Sequence, residues 1–571
     1  MAISDISPTV TLGLLLILGV VLSVWLIIRT WYFQRVIHLS AQVSHQDGRK
    51  LPGHPPDLLV GNLREIYRSQ NRLSAYYGFH QRFGEMVQIF WMWRHQVSAA
   101  DYRVAHRILV AHQHKYEKFR PNSLIRRLYG SSVLTNSGED WKRQRSIMNE
   151  AFSKKNIVRF HNIFVANAAK LVAKWSEQIE ITEESVSLDI YSDLVVLFLD
   201  IVGESTIGHS FGAIQGGADE FLSHLHYVVD QSTRPMHQFT AWWKYFPLPS
   251  NLKLAKSFAI IDTFLDELIS RRRKQIETIN FKEENYSLDL ERPNISVTEK
   301  TNVLDLLLRS TALKDGETSA LSDREVRDNL LAILVNGHET VATSVACSIY
   351  LLARNGEKCI HAQTEVDQVI ERSHGKLTEV GVSELHYLES VIQESLRLYP
   401  PMAGLQRISL EQDVLEEWSI PARQVIGIPL QPLHLNEEYF GQNADQFIPE
   451  RYLEHQVNRN LPISEIQSSK QCPVQWLHRL NSQSNTADRS APLLPLAFGD
   501  GARKCLGEHF ATYEMKVIIA TLLSHFEFKI APNFELDPEL GKFGLFISMF
   551  PKGGVEMVIR QRQSGGSLLG Y

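Results

Sequence analysis

Cysteine is scarce in this chain, which has only Cys347, Cys359, Cys472 and Cys505 among its 571 residues. So few cysteines exclude a disulfide-based scaffold and indicate a reducing compartment. An excess of one charge is missing as well, because 59 basic and 64 acidic residues leave a net charge of −5. This balance gives the chain no general attraction for nucleic acid, so we expect no nucleic-acid partner.

Long apolar runs are also rare, and the one that could span a membrane lies at residues 6–28, where no residue is charged. A helix of that length crosses a hydrocarbon core of about 30 Å. Arg29 and Arg35 follow the run, so the positive-inside rule places the body of the chain in the cytosol. A cleaved signal peptide is the alternative, but the run exceeds the usual apolar region of about 7–15 residues and no basic segment precedes it. We predict a single-pass membrane anchor at residues 1–30 and a basic, proline-rich linker at residues 31–56.

The body of the chain has mainly helical periodicity, with apolar residues three or four positions apart. This pattern predicts helices at residues 156–180, 258–278, 329–355, 384–398 and 507–526. Strand-like segments are short and lie at residues 86–93, 408–410, 425–429 and 545–559. Residues 281–301 are polar, which indicates a surface loop. The predicted fold class is therefore mainly α with small β-sheets (α+β).

The most informative segment runs from Phe498 to Gly507 and reads F-G-D-G-A-R-K-C-L-G. It ends where a strong helical pattern begins near Glu508, so Cys505 lies close to a helix N-terminus. The partial positive charge at that terminus, together with Arg503, favours the thiolate over the thiol. A thiolate is one of the known axial ligands of haem iron. Taken alone, the segment also fits a buried structural cysteine in a glycine-rich turn.

This segment matches F-x-x-G-x-R-x-C-x-G at every fixed position and resembles the haem-binding signature of the cytochrome P450 superfamily, the haem-thiolate monooxygenases. The resemblance implies that Cys505 binds the iron of haem b, and that Phe498, Arg503 and Gly507 contact the cofactor. It also implies the cytochrome P450 fold, preceded by one N-terminal transmembrane helix.

Another segment resembles the family's W-x-x-x-R element, in which the two fixed residues lie one helical turn apart. Its members here are Trp141 and Arg145, and the resemblance implies that both hydrogen-bond a haem propionate. Arginine suits this role because its guanidinium group can bind a carboxylate through two hydrogen bonds. Arg407 falls where the family often has another propionate contact.

Glu394 and Arg397 match the family's E-x-x-R element, and residues three apart share one face of a helix. Arg451, in the later segment P-E-R, is the third partner that the resemblance implies. Taken alone, such a pair is more often solvated on a helix surface. In this combination we expect Glu394, Arg397 and Arg451 to form a buried network that supports the cysteine segment.

Residues 336–341 read N-G-H-E-T-V and resemble the family's distal-helix segment A/G-G-x-D/E-T-T. Ser322 and Glu325 predict a capping box at the start of this helix. By the resemblance, Thr340 takes part in oxygen activation and Glu339 in proton delivery, so both are predicted catalytic residues. Asn336 replaces the small residue of the pattern, which either narrows the oxygen pocket or adds a hydrogen bond to the substrate.

The resemblance assigns residues 57–562 to a haem-thiolate monooxygenase domain. Within it, the segment at about 456–492 lies where the chain is longer than is usual in the family, and it is predicted to be a surface insertion. Residues 563–571 are predicted to be a flexible tail. By family position, the substrate would contact mostly apolar residues at 122–130, 239–246, 331–337, 403–404 and 546–549.

The implied activity is insertion of one oxygen atom of O₂ into a lipophilic organic substrate at the endoplasmic reticulum membrane, with the catalytic domain in the cytosol. Electrons would come from a separate NADPH-dependent reductase, because too few residues follow Cys505 for a flavin domain. Lys142 and Arg143 either help to dock that reductase or are solvated charges. Two alternatives stay open: a haem-thiolate isomerase or dehydratase that needs no external electrons, and a non-enzymatic membrane haem-binding protein.

Overall fold

The structure is a computed structural model, and it describes residues 8–68, 72–119, 123–182, 184–217, 220–234, 248–286, 302–312, 321–453, 495–536, 543–545 and 548–562. The chain divides into two compact units. Unit 1 consists of residues 1–119 and 404–433, and unit 2 of residues 120–403 and 434–571.

The α-helices account for most of the residues that the structure describes. In chain order they are α1 (Pro8–Gln42), α2 (Leu63–Arg68), α3 (Arg72–Phe83), α4 (Tyr102–His106), α5 (Ser123–Tyr129), α6 (Gly138–Ala151), α7 (Lys154–Ile157), α8 (His161–Thr182), α9 (Ile190–Ile207), α10 (Glu220–Thr233), α11 (Pro249–Tyr286), α12 (Val303–Ala312), α13 (Asp323–Gly337), α14 (Glu339–Arg354), α15 (Gly356–Arg372), α16 (Glu379–Glu384), α17 (His386–Leu398), α18 (Leu430–His434), α19 (Glu437–Phe440) and α20 (Glu508–His525).

Within the described ranges the strands are short and belong to four small sheets. In chain order they are β1 (Ser44–His45), β2 (Met86–Trp91), β3 (Arg94–Ala99), β4 (Tyr116–Lys118), β5 (Val186–Asp189), β6 (Gly404–Ser409), β7 (Asp413–Leu415), β8 (Trp418–Ile420), β9 (Val425–Pro429), β10 (Phe526–Ile530), β11 (Phe543–Leu545), β12 (Met549–Pro551) and β13 (Glu556–Gln561). Unit 1 holds a five-stranded sheet of order β2-β3-β9-β6-β4 and a three-stranded sheet of order β1-β8-β7. Unit 2 holds the sheet β10-β13-β5 and the pair β11-β12. The predicted fold class, mainly α with small β-sheets, is confirmed.

The C-terminal part of α1 packs on the large sheet of unit 1. Apolar side chains are exposed between Leu18 and Ile28, but Tyr32 is fully buried and packs with Val36 and Phe90. The Tyr32 hydroxyl donates to the Met92 carbonyl over 3.2 Å. The helix therefore has two parts: an exposed apolar part that fits a membrane anchor, and a part that belongs to the folded unit.

The proline-rich segment after α1 is bound to strand β2. The Gln88 backbone N–H donates to the Pro52 carbonyl over 2.8 Å, and the Gln88 side-chain amide donates to the Leu51 carbonyl over 2.8 Å. Leu51 is buried. We expected a linker over residues 31–56, whereas α1 continues through this range to Gln42 and the proline-rich part is fixed to the sheet.

In unit 2 the long helix predicted over residues 329–355 is interrupted. Backbone dihedrals of −103° and −55° at His338 separate α13 from α14. Side chains from Val341 to Leu352 are all buried, so α14 is enclosed on every side. Together α13 and α14 are long and apolar enough to span a membrane, but they are mostly buried and are core helices.

Other predicted elements agree in type and differ at their ends. The predicted helices at 384–398 and 507–526 correspond to α17 and α20, and the predicted strand at 425–429 to β9. The loop predicted over 281–301 is helical as far as Tyr286, and its remainder is not described until residue 302. The segment predicted as a strand over residues 545–559 contributes to β11, β12 and β13. The surface insertion at 456–492, the tail at 563–571 and the segment 239–246 lie outside the described residues.

Candidate active site

The loop around Cys505 is closed by its own backbone. The Cys505 N–H donates to the Phe498 carbonyl over 2.8 Å, and the Asp500 carboxylate accepts from the Gly501 N–H over 2.7 Å. Gly499 and Gly501 have φ of 69° and 68°, values that favour glycine. Helix α20 begins directly after the loop, and Cys505 is exposed. The loop thus presents a thiol beside the positive end of a long helix, which favours its ionisation.

The other described cysteines are in environments of the opposite kind. Burial raises the pKa of the Cys347 thiol far above its usual 9.0, and burial also raises the pKa of Cys359. A raised pKa makes a thiol a poor nucleophile and a poor metal ligand, and Cys347 is in addition fully buried. Cys472 lies outside the described residues. Among the three cysteines that the structure describes, only Cys505 is placed as a reactive thiolate or metal ligand requires.

Two predicted cofactor contacts meet beside this loop. The Arg503 guanidinium lies over the ring of Trp141, 3.9 Å from its centroid, and donates to the Asn136 carbonyl over 2.9 Å. Trp141 and Arg145 lie one turn apart on α6, as predicted. Burial lowers the pKa of Arg145, and the nearby Cys505 partly offsets that effect. Unit 2 therefore brings Trp141, Arg145, Arg503 and Cys505 together.

Arg407 is buried and Arg145 is half-buried, and no acidic side chain compensates either cation within the described ranges. No hydrogen bond or ion pair to Arg145 is found among the residues that the structure describes. In unit 1, burial lowers the pKa of Arg407 to about 10, and its one side-chain hydrogen bond to a described residue goes to the Gln406 carbonyl over 2.9 Å. A buried charge without a partner costs free energy. Each arginine therefore fits an anion that the protein does not itself supply, such as the propionate of a haem.

Glu394, Arg397 and Arg451 form the hydrogen-bonded network that the sequence predicted, although the Arg451 side chain is partly exposed. Arg397 donates to the two Glu394 carboxylate oxygens over 2.7 and 2.8 Å, and Arg451 donates over 3.3 Å. The Ile448 backbone N–H adds a fourth bond over 3.0 Å. Arg397 and Glu394 are fully buried, so this is a desolvated pair with nearly complete hydrogen bonding rather than a surface pair.

His434 connects that network to the cysteine loop, and sequence reasoning did not identify it. Its Nε2 accepts from the Leu496 backbone N–H over 2.9 Å, so its Nδ1 carries the proton and donates to the Arg397 carbonyl over 3.1 Å. Burial and the neighbouring Arg397 lower the pKa of His434 to about 3, so the ring is neutral. Leu496 begins the turn that ends at Phe498. Nothing in the spacing of His434 signals this role.

At the interruption between α13 and α14, the Thr340 hydroxyl donates to the Asn336 carbonyl over 2.7 Å. Gly337 is next in the chain, and a Cβ there would lie 2.9 Å from a Val202 methyl group of α9. The glycine therefore permits close packing of α9 on α13. Burial lowers the pKa of His338 to about 4, so this ring is also neutral.

Glu339, the first residue of α14, is partly buried and has no basic partner among the described side chains. Burial raises the pKa of Glu339 above its usual 4.5, and hydrogen bonds from the hydroxyl and backbone N–H of Ser548 oppose that rise. Ser548 precedes β12 and is itself buried. Glu339 and Thr340 are therefore adjacent in the sequence, but their side chains have different hydrogen-bond partners.

A polar face of α13 holds the segment between α5 and α6. The Tyr129 hydroxyl donates to the Asn336 side chain over 3.2 Å, and the Ser131 N–H donates to Asp328 over 2.7 Å. The Val133 N–H donates to Asn329 over 2.9 Å. The spacing of Asp328, Asn329 and Asn336 on a largely apolar helix was the available sequence signal for this contact.

The capping box of α13 is confirmed, with Ser322 and Glu325 bonded in both directions. Glu325 also accepts from Arg143 and, over 2.8 Å, from Gln144. These bonds from α6 lower the pKa of Glu325 to about 2. Arg143 is therefore neither a freely solvated charge nor an open docking contact, whereas Lys142 is exposed and pairs with Glu139 over 2.7 Å.

A mainly helical fold, an exposed cysteine at the start of a core helix, an arginine without an acidic partner near that cysteine, and an interrupted helix that carries a threonine and an acid are together the features of a haem-thiolate oxidoreductase. The comparisons with known proteins agree. A family model described as Cytochrome P450 matches residues 51–555, and the chain belongs to this family. Members of the family are haem-thiolate enzymes, usually with haem b, and they incorporate oxygen from O₂.

Named relatives from plants, fungi and animals are similar over most of their length. "Cytochrome P450 97B2, chloroplastic" of Glycine max is 28% identical over 76% of this chain and 74% of its own. "Cytochrome P450 monooxygenase 205" of Postia placenta is 25% identical over 93% of both chains. "Cytochrome P450 4V2" of Homo sapiens is 26% identical over 76% of this chain and 74% of its own.

Proposed function

We propose that this protein is a membrane-bound monooxygenase that inserts one oxygen atom of O₂ into a lipophilic substrate, with electrons from a separate NADPH-dependent reductase. The observation that carries the proposal is the exposed Cys505 at the start of α20, beside the uncompensated Arg145. When bound, the haem supplies an iron centre that binds and activates O₂.

Cys505 is the proposed iron ligand, held in position by its bond to the Phe498 carbonyl and by the turns at Gly499 and Gly501. Gly507, the residue before α20, has no other atom within 4 Å of the position that a Cβ would take, which leaves room for a flat ligand. Phe498 lies half-buried at the base of the loop. The supporting network of Glu394, Arg397 and Arg451 keeps this loop rigid.

Trp141, Arg145 and Arg503 are the proposed contacts to the propionates in unit 2. Their support is that the Arg503 guanidinium lies over the Trp141 ring beside the cysteine loop, and that Arg145, one helical turn from Trp141, has no acidic partner among the described residues. Arg407 is the proposed propionate contact of unit 1, on the same ground of a buried guanidinium without an acid. A bound propionate would convert each unfavourable buried charge into a charge-assisted hydrogen bond.

Thr340 and Glu339 are the proposed proton donors at the oxygen site. Thr340 already carries a hydroxyl fixed by the Asn336 carbonyl, and Glu339 has a carboxyl whose raised pKa brings it nearer to neutral pH. An isomerase or dehydratase that rearranges peroxides needs no such pair, so the pair favours the monooxygenase. A haem carrier would not need it either.

The exposed apolar part of α1 supports a single-pass anchor, and the cytosolic placement rests on Arg29 and Arg35 beyond it. We propose the endoplasmic reticulum as the membrane. A lipophilic substrate would reach the buried apolar side chains Leu331, Leu334 and Val335 of α13 from the lipid phase. Lys142, exposed on α6, remains the proposed reductase contact.

The first experiment is a carbon-monoxide difference spectrum of the reduced full-length protein. We expect the Soret position of a thiolate complex, its loss in Cys505→Ser and its retention in Cys359→Ser, the matched control. A Soret band typical of a histidine or water ligand in the wild type would refute the proposal.

The second experiment is reconstitution of the protein with an NADPH-dependent reductase. In Thr340→Ala we expect NADPH consumption to continue with peroxide in place of product, whereas turnover of a lipid hydroperoxide without NADPH would instead support the isomerase.

A further inference from the structure

Ser548 makes the only side-chain hydrogen bond to Glu339 among the residues that the structure describes. We propose that Ser548 is a positioning residue, which holds the Glu339 carboxyl group at the β11–β12 hairpin and sets its ionisation. The inference rests on the proposed function, because it concerns the acid that we propose as a proton donor. It gives Ser548, which the sequence placed only within a predicted substrate-contact segment, a separate role, and it explains why the acid is not bonded to Thr340.

The geometry of the contact is that of a two-donor clamp. Both the hydroxyl and the backbone N–H of Ser548 donate to the Glu339 carboxylate. Two donors to one carboxylate stabilise its charged form, and they fix its orientation as well as its charge. Thr340 takes no part, since its hydroxyl donates to the Asn336 carbonyl. The acid therefore has a fixed resting position on the hairpin side.

The hairpin that carries Ser548 is attached to the core at the next residue. The Met549 N–H donates to the Pro401 carbonyl over 2.8 Å, and the Thr343 hydroxyl donates to the Met549 carbonyl over 2.9 Å. Leu545 pairs with Met549 across the hairpin. Through Met549, Ser548 is thus attached to α14, the helix that begins with Glu339. This attachment keeps the two donors of Ser548 close to the carboxylate.

The other titratable groups near Glu339 come from two further helices. Tyr129 at the end of α5 and Tyr191 at the start of α9 both interact electrostatically with Glu339, and burial raises the pKa of each, so both are neutral. His338, the residue before Glu339 in the chain, is also neutral. No lysine or arginine forms an ion pair with Glu339 within the described ranges. The ionisation of this acid therefore depends on Ser548 and on burial, which act in opposite directions.

The test measures the ionisation of Glu339 directly in the full-length holoprotein. The infrared band of its protonated carboxyl group is identified by its loss in Glu339→Gln and is then titrated with pH. We expect the pKa to rise by about one unit in Ser548→Ala, because a hydrogen bond to a charged group is worth about that much. Ser548→Thr keeps a hydroxyl and should titrate as the wild type does. Ser348→Ala removes an equally buried hydroxyl, bonded to the Ser344 carbonyl over 2.7 Å, and should change nothing.

A second readout is the decay of the oxygenated complex after reduced protein is mixed with O₂, with no substrate present. The pH at which its rate changes should shift upward in Ser548→Ala by the same amount as the infrared titration. An unchanged infrared titration in Ser548→Ala, or an equal shift in Ser348→Ala, would overturn the proposal. If the wild type lacks the thiolate spectrum with carbon monoxide, the proposed function fails, while the infrared titration still decides the role of Ser548.

Discussion

The acidic residue behind the cysteine loop and the acidic residue at the interruption between α13 and α14 have opposite environments. Glu394, behind the loop, accepts four hydrogen bonds, three of them from arginines. Glu339, at the interruption, relies on Ser548 alone and has no cationic partner among the described side chains. The first arrangement holds the carboxylate group in place between two arginines and makes a rigid support. The second leaves an acid that can gain and lose a proton, which is what proton delivery requires.

Arg397→Ala should have the largest effect, because it breaks the rigid arrangement. Removing one partner of a buried ion pair costs about 3–5 kcal/mol, a large part of the roughly 5–15 kcal/mol that stabilises a typical domain. We expect little folded, carbon-monoxide-binding protein, measured by the difference spectrum and by urea unfolding. Arg372→Ala is the matched control, because Arg372 and its partner Glu384 are both exposed, and it should cost less than about 1 kcal/mol. Equal losses would show that burial of the network is irrelevant.

His434→Ala should have the next largest effect, since it leaves the Leu496 N–H and the Arg397 carbonyl without their partner. We expect a loss of about 1–3 kcal/mol in urea unfolding at neutral pH. The pH dependence gives a second check. With a pKa of about 3 in the fold and 6.5 when unfolded, the unfolded state binds more protons between these values, so His434 makes stability fall as pH falls from 6.5 to 3. The variant should lack this contribution, and an unchanged acid limb would contradict the assignment of a neutral, buried ring.

Glu514→Gln tests a third kind of acid, which lies on α20 and has neither arginines nor a serine. Its two carboxylate oxygens are buried without a hydrogen-bond partner among the described residues, and burial raises the pKa of Glu514 well above 4.5. The folded state therefore holds a proton that the unfolded state releases above pH 4.5, so this group makes stability fall as pH rises, by at most about 1.4 kcal/mol per pH unit. The variant should be more stable than the wild type at pH 8 and nearly equal at pH 4, measured by thermal unfolding. Parallel profiles for both proteins would mean that Glu514 finds a partner in solution.

The sequence predicted the support of the cysteine loop better than it predicted the surroundings of Glu339. Glu394, Arg397 and Cys505 lie in segments whose residue types and spacing alone indicate a chemical role, and the structure has the first two paired and the third at a helix start. His434 could not be predicted, because a lone histidine between Leu433 and Leu435 gives no periodic signal for a ring that bridges two distant segments.

Around Glu339, the sequence predicted which residues belong to the site but not which hydrogen bonds they make. The distal-helix pattern identified Glu339 and Thr340, yet the pairing of Glu339 with Ser548 joins positions 209 residues apart. The interruption at His338 was also missed, because uninterrupted helical periodicity continues through it. In unit 1, the extension of α1 to Gln42 was missed because proline and basic residues after the apolar run suggested a linker, whereas burial of Tyr32 determines where the helix packs.

Tyr129→Phe should have the smallest effect, and it tests the hydrogen bonds that α13 makes near the interruption. The variant removes one hydroxyl and leaves the Asn336 side-chain oxygen without that donor, while the Asn336 amide keeps its bond to the Ala332 carbonyl over 2.7 Å. We expect a loss of about 1 kcal/mol in urea unfolding. Tyr227→Phe, which loses a comparable bond to the Ser250 carbonyl over 3.2 Å on α10, is the control.

The informative quantity is the difference between the two tyrosine variants after substrate analogues are added. Because Asn336 stands at the interruption, loss of its Tyr129 bond should change the binding spectra of lipophilic ligands, whereas loss of the Tyr227 bond should not. If instead Tyr129→Phe is as damaging as His434→Ala, then the contacts around the interruption are as rigid as those behind the cysteine loop. In that case the difference in hydrogen bonding between Glu394 and Glu339 would not distinguish a structural support from a site of proton delivery.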